Sequence, residues 1–106
     1  MGFSKDVIDA VWNRCAGKEN NGYKMDQCTA WIYKDSYGKQ SSYGWQIDHI
    51  TPISKGGTDE LSNLRALHWA NNLARSNGRL NTTKPEVKSV GTVNHRLDDN
   101  GNYKKI

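Results

Sequence analysis

The chain is poor in apolar residues. Only 35% of its 106 residues are hydrophobic. Counting glycine in place of tyrosine, as the usual globular tally does, raises that share to only about 40%, against a typical 45–50%. A single domain with a small core is expected. No run approaches the roughly 18 consecutive apolar residues of a membrane span, so no membrane association is expected. No basic, then apolar, then small-residue leader opens the sequence, and the expectation is a cytoplasmic chain. Two cysteines are too few for a disulfide framework. A membrane protein, a secreted disulfide scaffold and a coiled coil are all set aside.

Fifteen Lys and Arg against eleven Asp and Glu give a net charge of +4. The excess is uneven: residues 79–106 hold six basic and three acidic side chains. A solvated surface with a basic tail accounts for this. So does a polyanion partner, because clustered Lys and Arg gain affinity by releasing counterions from phosphate backbones. Charge alone leaves both open.

The first element is a helix over 4–16. Ser4 is a good N-cap, Asp6 lies in the first turn, and Val7, Ile8, Val11, Trp12 and Cys15 share one stripe. Lys18–Gln27, with Asn20-Asn21-Gly22, reads as loop. Ala30–Tyr33 and Trp45–Ile50 read as strands, the second ended by Thr51-Pro52 because proline cannot donate to a ladder. Ser54–Asp59 is turn-rich, Asn63–Leu67 is a third strand, and His68 to about Ser76 is helical, with Leu73 towards the core and Gly78 as a stop. Asn81–Lys88 shows no pattern. Thr92–Leu97 and Asn102–Ile106 suit a hairpin around a type I′ Asn100-Gly101 turn, with a frayed tail as the other reading.

The informative stretch is 45–76, WQIDHITPISKGGTDELSNLRALHWANNLARS. Asp48-His49 closes one strand, Gly56-Gly57 sits in the loop, Asn63-Leu64 opens the next strand, and Asn72 lies in the helix. His49 to Asn63 is fourteen residues and Asn63 to Asn72 is nine. In residues, order and both spacings the stretch resembles the HNH endonucleases, whose site is two antiparallel strands and a helix around one metal ion. The resemblance implies an α+β fold: a small single domain over 1–78 with a ββα-metal core at 45–76, an N-terminal helix, and a basic C-terminal extension over 79–106 with a possible hairpin. It also implies a metal-dependent DNA endonuclease that leaves 5′-phosphate and 3′-hydroxyl ends, with double-stranded DNA as partner, little sequence specificity, and nicking by a monomer. The runner-up is a non-catalytic nucleic-acid-binding module on the same scaffold. A component that works only with a protein partner or as a dimer is a third reading.

The chemistry calls for these residue types. A neutral imidazole, with an ordinary pKa of about 6.5, takes a proton from water near neutral pH. A divalent cation stabilises negative charge on the phosphate and the departing alkoxide. Carried over position by position, the resemblance makes His49 the general base, Asp48 and Asn72 the metal ligands, and Asn63 the residue that holds the loop orienting the imidazole. Arg75 matches a position for a phosphate-binding cation, three residues past Asn72 on the same helical face. Mg²⁺ or Mn²⁺ fits an oxygen-ligand site. Neighbours on a regular strand point to opposite sides, so Asp48 and His49 serve one site only if the strand bends or ends there.

Many members of the family carry two Cys-x-x-Cys pairs for a structural zinc. Here Cys28 stands alone at the first pair's place, and His68 and Asn71 stand at the second's, so no structural zinc is expected. Packing of Trp12, Trp31, Trp45 and Trp69 is the preferred substitute, with stacking on unpaired bases as their other use. His68, one turn before Asn72, is a possible third metal ligand. Packing against Cys28 or Trp31 is its preferred role.

Overall fold

A computed structural model describes residues 2–15, 17–75 and 79–106. Helix α1 (Lys5–Cys15) is followed by strands β1 (Tyr23–Met25), β2 (Trp31–Tyr33), β3 (Trp45–His49) and β4 (Leu64–His68), helix α2 (Trp69–Ala74), and strands β5 (Val87–Val90), β6 (Val93–Leu97) and β7 (Tyr103–Lys105). The fold is a small α+β one. Ser4 starts α1 as expected: its hydroxyl accepts the Val7 N–H at 3.3 Å and its carbonyl the Ile8 N–H at 3.0 Å. Three separate antiparallel sheets pair β1 with β2, β3 with β4, and β5–β6–β7 in that order.

The apolar stripe of α1 drives the main core. Val11 and Trp12 are fully buried against Ile32, Trp45, Ile47, Leu64 and Ala66, with Phe3, Val7 and Ile8 packed around them. The Trp12 and Trp45 rings meet at 5.3 Å between centroids, a geometry worth roughly 0.5–1.5 kcal/mol beyond the burial itself. Each indole N–H is satisfied, Trp12 by Glu19 Oε1 at 2.7 Å and Trp45 by the Lys34 carbonyl at 3.3 Å. Lys24 is buried because its ammonium donates to the Trp12 carbonyl at 2.7 Å and lies over the Trp12 ring.

A second, polar centre ties the remaining elements together. The buried carboxylate of Asp26 accepts the backbone N–H of Cys28 and of Ala30, both at 2.9 Å, through one oxygen. Its other oxygen accepts the His68 N–H at 3.0 Å and the Asn71 side-chain amide at 3.1 Å. Cys28, His68 and Asn71, the residues standing at the zinc-pair positions, are thus gathered on one carboxylate. Burial pushes the Asp26 carboxyl above the ordinary range, against the opposing pull of these donors. Burial, reinforced by the Asp26 charge, pushes the Cys28 thiol up to about 12, so the thiol is protonated near neutral pH.

The segment beyond residue 79 is bound to the rest by amides that imitate backbone. Asn71 pairs with both main-chain groups of Val87, at 2.8 and 2.9 Å. The fully buried Asn94 pairs with both of Trp31, each at 2.8 Å, and also donates to the Ser42 carbonyl. The β6–β7 hairpin is preceded by β5, a strand in a stretch without sequence pattern. Two of the tail's cations serve packing: Lys88 lies over Tyr103 and Arg96 over Trp69.

Several local expectations need correction. The loop expected over 18–27 contains β1, entered by a tight turn in which Asn21 (φ 53°) and Gly22 (φ 88°) are both left-handed and Asn20 and Tyr23 exchange both backbone hydrogen bonds. The type I′ turn is therefore here and not at Asn100-Gly101, where only Gly101 has positive φ (82°) and Asp98 caps the amides of Asn100 and Asn102. Leu73 does not face the core; it is 73% exposed, because the short α2 turns Ala70 and Asn71 inward instead. The end of the expected helix at Ser76 and its stop at Gly78 lie outside the described residues.

Candidate active site

The site is built on the β3–β4 ribbon and α2. Register places Asp48 opposite Arg65 and His49 opposite Leu64. The 50–63 connection is closed by Asn63. Its carbonyl accepts the Ile50 N–H at 2.8 Å. Its side chain accepts the Thr51 N–H at 2.8 Å and donates to the carbonyls of Thr51 at 3.0 Å and Thr58 at 2.7 Å. Gly57 is required at the crossing, since a Cβ there would lie 1.8 Å from the Thr51 carbonyl oxygen.

Asp48 points from β3 towards α2 and is 2% exposed. Its Oδ2 receives both the Nε and the Nη2 of Arg65, each at 2.8 Å, two charged contacts on one oxygen. Its Oδ1 lies 2.6 Å from Arg75 Nε, yet receives no hydrogen bond, because that N–H is directed at Asn72 Oδ1, 3.0 Å away. Asn72 is fixed from its other end, donating to Gln46 Oε1 at 2.7 Å. Arg75 does not reach this point along a helical face, as the spacing suggested. Helix α2 ends at Ala74, and Arg75 is extended (φ −65°, ψ 149°) and folds its side chain back.

His49 turns the other way. Its Nε2 lies 2.6 Å from Asp59 Oδ1, and its ring sits 5.8 Å from that of Phe3. A carboxylate only accepts, so Nε2 is the donor in this contact, and in the neutral ring Nδ1 is then the acceptor. Sequence reasoning missed Asp59, a loop residue without a local signal, and also Gln46 and Arg65, whose roles depend on strand register. Asp48, Asn72 and Arg75 come together; His49 stands on the opposite face of the strand end; Asn63 pins the loop between them. His68 is fully buried as the N-cap of α2. Its Nδ1 accepts the Ala70 N–H at 3.1 Å and its Nε2 lies 2.9 Å from the Ser42 carbonyl, so both ring nitrogens are taken. Burial lowers its pKa.

Asp48 Oδ1 and Asn72 Oδ1 are two oxygens facing one cationic nitrogen, and that is the donor chemistry Mg²⁺ and Mn²⁺ prefer. Among the described residues no three His, Cys, Asp or Glu side chains are grouped to hold a metal. Among the described residues, one carboxylate oxygen and one amide oxygen face this position. Residues 35–78 match the family model described as HNH endonuclease. Over that stretch, which is under half of the chain, the sequence is similar to the HNH endonucleases. No curated protein and no solved structure matches the chain. The match points to nuclease-type action on nucleic acid, and HNH nucleases generally use a divalent metal. No helix among the described residues is long and apolar enough to cross a membrane.

Proposed function

We propose that the chain is a metal-dependent HNH endonuclease that hydrolyses phosphodiester bonds in double-stranded DNA. The observation that carries this reading is the convergence of Asp48 and Asn72, from different elements, on a single cationic position. Asp48 and Asn72 hold the divalent ion, Mg²⁺ or Mn²⁺, which supplies charge stabilisation to the phosphate and the leaving oxygen. His68, with both nitrogens engaged, is left out of the ligand set.

His49 is the general base. Its Nδ1 accepts a proton from water as the water oxygen adds to phosphorus and the bond from phosphorus to O3′ breaks; the O3′ alkoxide takes a proton from solvent water, leaving a 5′-phosphate and a 3′-hydroxyl. Asp59 fixes the tautomer and stabilises the imidazolium that forms, the role a carboxylate plays behind a catalytic histidine elsewhere. Asn63 acts through the same chain of contacts: by holding the Thr58 carbonyl it sets the backbone that carries Asp59. The strand ends at His49, so a phosphate lying across that end is reached from the Asp48 face and the His49 face together.

A plasmid-nicking assay tests the reading. Supercoiled DNA with Mg²⁺ or Mn²⁺ goes to open circle, EDTA stops the reaction, and His49→Ala loses at least about 100-fold in rate. Unchanged cleavage by His49→Ala refutes the assigned base. Salt-sensitive DNA binding without any metal-dependent product would favour the non-catalytic module instead.

A further inference from the structure

The cationic nitrogen between Asp48 and Asn72 belongs to the protein itself. Arg75 Nε stands 2.6 Å from Asp48 Oδ1 and 3.0 Å from Asn72 Oδ1, the two oxygens assigned above to the metal. Two guanidinium groups thus face one carboxylate, and the neighbourhood carries net positive charge. They are not equivalent. Arg65 is nearly buried, with 9% of its side chain exposed, and takes Oδ2 by two short contacts. Arg75 is 27% exposed, sits beyond the end of α2, and makes no hydrogen bond to Oδ1. The more exposed of the two cations is the one in the metal's place. Its side chain also borders a cavity of about 190 Å³, lined in part by Asn81, Lys84 and Glu86, so the guanidinium has space into which it can withdraw.

We propose that Arg75 is the resident cation of the Asp48–Asn72 seat and is exchanged for the divalent ion when a nucleic-acid phosphate draws the guanidinium away. The inference rests on the metal-site reading above. With Arg75 seated, a divalent ion meets an adjacent positive charge and a blocked pair of oxygens. With Arg75 on a phosphate, which it matches in charge and in its planar fork, Oδ1 of Asp48 is open while Arg65 still holds Oδ2. Each ligand therefore favours the other, and by linkage the coupling is reciprocal. The consequence is a site that stays metal-poor until nucleic acid is bound.

Titration calorimetry with Mn²⁺ alone, on the full chain, tests this without any turnover. Arg75→Gln removes the seated cation but leaves Arg65 to neutralise Asp48. It is expected to bind Mn²⁺ about tenfold more tightly than the wild type, a coupling of ordinary size. Lys84→Gln, which removes a charge from the same cavity without touching the seat, is expected to stay within about twofold. Equal or weaker binding by Arg75→Gln overturns the exchange, and so does an equal gain in Lys84→Gln, which would mark the effect as general charge. In a His49→Ala background, Mn²⁺ should raise affinity for a labelled DNA duplex about fivefold more with Arg75 present than when Arg75→Gln is added. An equal rise overturns the coupling. Asp48→Asn separates this inference from its foundation: if it binds Mn²⁺ as the wild type does, the metal seat itself is misassigned. If it loses binding while Arg75→Gln gains none, only the exchange is wrong.

Discussion

Replacing Asp26 with alanine should be among the most damaging single changes in this chain. Four N–H donors converge on that carboxylate, at 2.9, 2.9, 3.0 and 3.1 Å. Asn71 keeps a second acceptor in the Val87 carbonyl, so Asp26→Ala leaves three backbone N–H groups, those of Cys28, Ala30 and His68, buried without a partner. Each such group costs about 1–3 kcal/mol. Against that, the substitution releases a carboxylate whose burial is itself unfavourable. The net expectation is a loss of about 4 kcal/mol, a large part of the roughly 5–15 kcal/mol available to a domain of this kind. The same carboxylate also braces Thr29, a β-branched residue held at φ 65°, where strain is of order 1–3 kcal/mol. Urea denaturation followed by the fluorescence of the buried Trp12 and Trp45 measures the loss directly. Asp98 makes similar bonds to the backbone of an exposed turn, and Asp98→Ala is the control expected to do far less. A loss below about 1.5 kcal/mol in Asp26→Ala would refute the view that this carboxylate joins β1, β2, β4 and α2.

The two histidines 49 and 68 lead to separate expectations. Burial depresses the pKa of His68 in the folded chain below its unfolded value near 6.5, so its contribution is present above that value and is lost as pH falls through the lower folded one. Urea midpoints between pH 7 and 5 should drop with a slope of up to about 1.4 kcal/mol per pH unit from this group, and His68→Gln should flatten the slope; an unchanged slope counts against it. Asp59→Ala should lower kcat for nicking about 10–100-fold with KM for DNA and the melting temperature unchanged, because Asp59 is an exposed residue acting through His49. A rise in KM with kcat intact would assign Asp59 to DNA contact instead.

What could be read from the sequence divides along physical lines. Helix α1 and strand β3 were legible because burial imposes a period: Val11, Trp12, Trp45 and Ile47 must all face one core; β4 is buried along its whole length and shows no such period. Strands β1 and β5 were not, being three and four residues long and fixed by partners rather than by pattern. Leu73 misled because α2 is only six residues long, and an amide, Asn71, takes the inward place a leucine would claim in a longer helix. The Asp26 centre joins residues far apart in sequence, and no local signal announces it. At the candidate site, Asp48, His49, Asn63, Asn72 and Arg75 were singled out through the resemblance that their types and spacing carry. Arg65 and Gln46 required the ribbon register, which the loop over 50–63 conceals, and Asp59 required the path of that loop.

The ribbon also explains how adjacent residues in sequence come to separate duties. Along β3 the pleat sends Asp48 to α2 and His49 to the opposite side, so the imidazole stands apart from a carboxylate already facing two guanidinium groups. Were the strand to continue, its backbone would wall the two faces off from each other. It does not continue, and the reason is visible in Asn63. The carbonyl of Asn63 takes the Ile50 N–H, and its side-chain amide takes both the N–H and the carbonyl of Thr51, supplying the pairing a neighbouring strand would otherwise offer. Pro52, next in line, has no N–H to give. The ladder is therefore stopped by hydrogen bonding from one side and by covalent structure from the other. The same amide reaches on to Thr58, the residue before the partner of His49. Termination of the strand and the path of the loop that carries Asp59 thus both run through Asn63, whose side chain accepts the Thr51 N–H while donating to the carbonyls of Thr51 and Thr58.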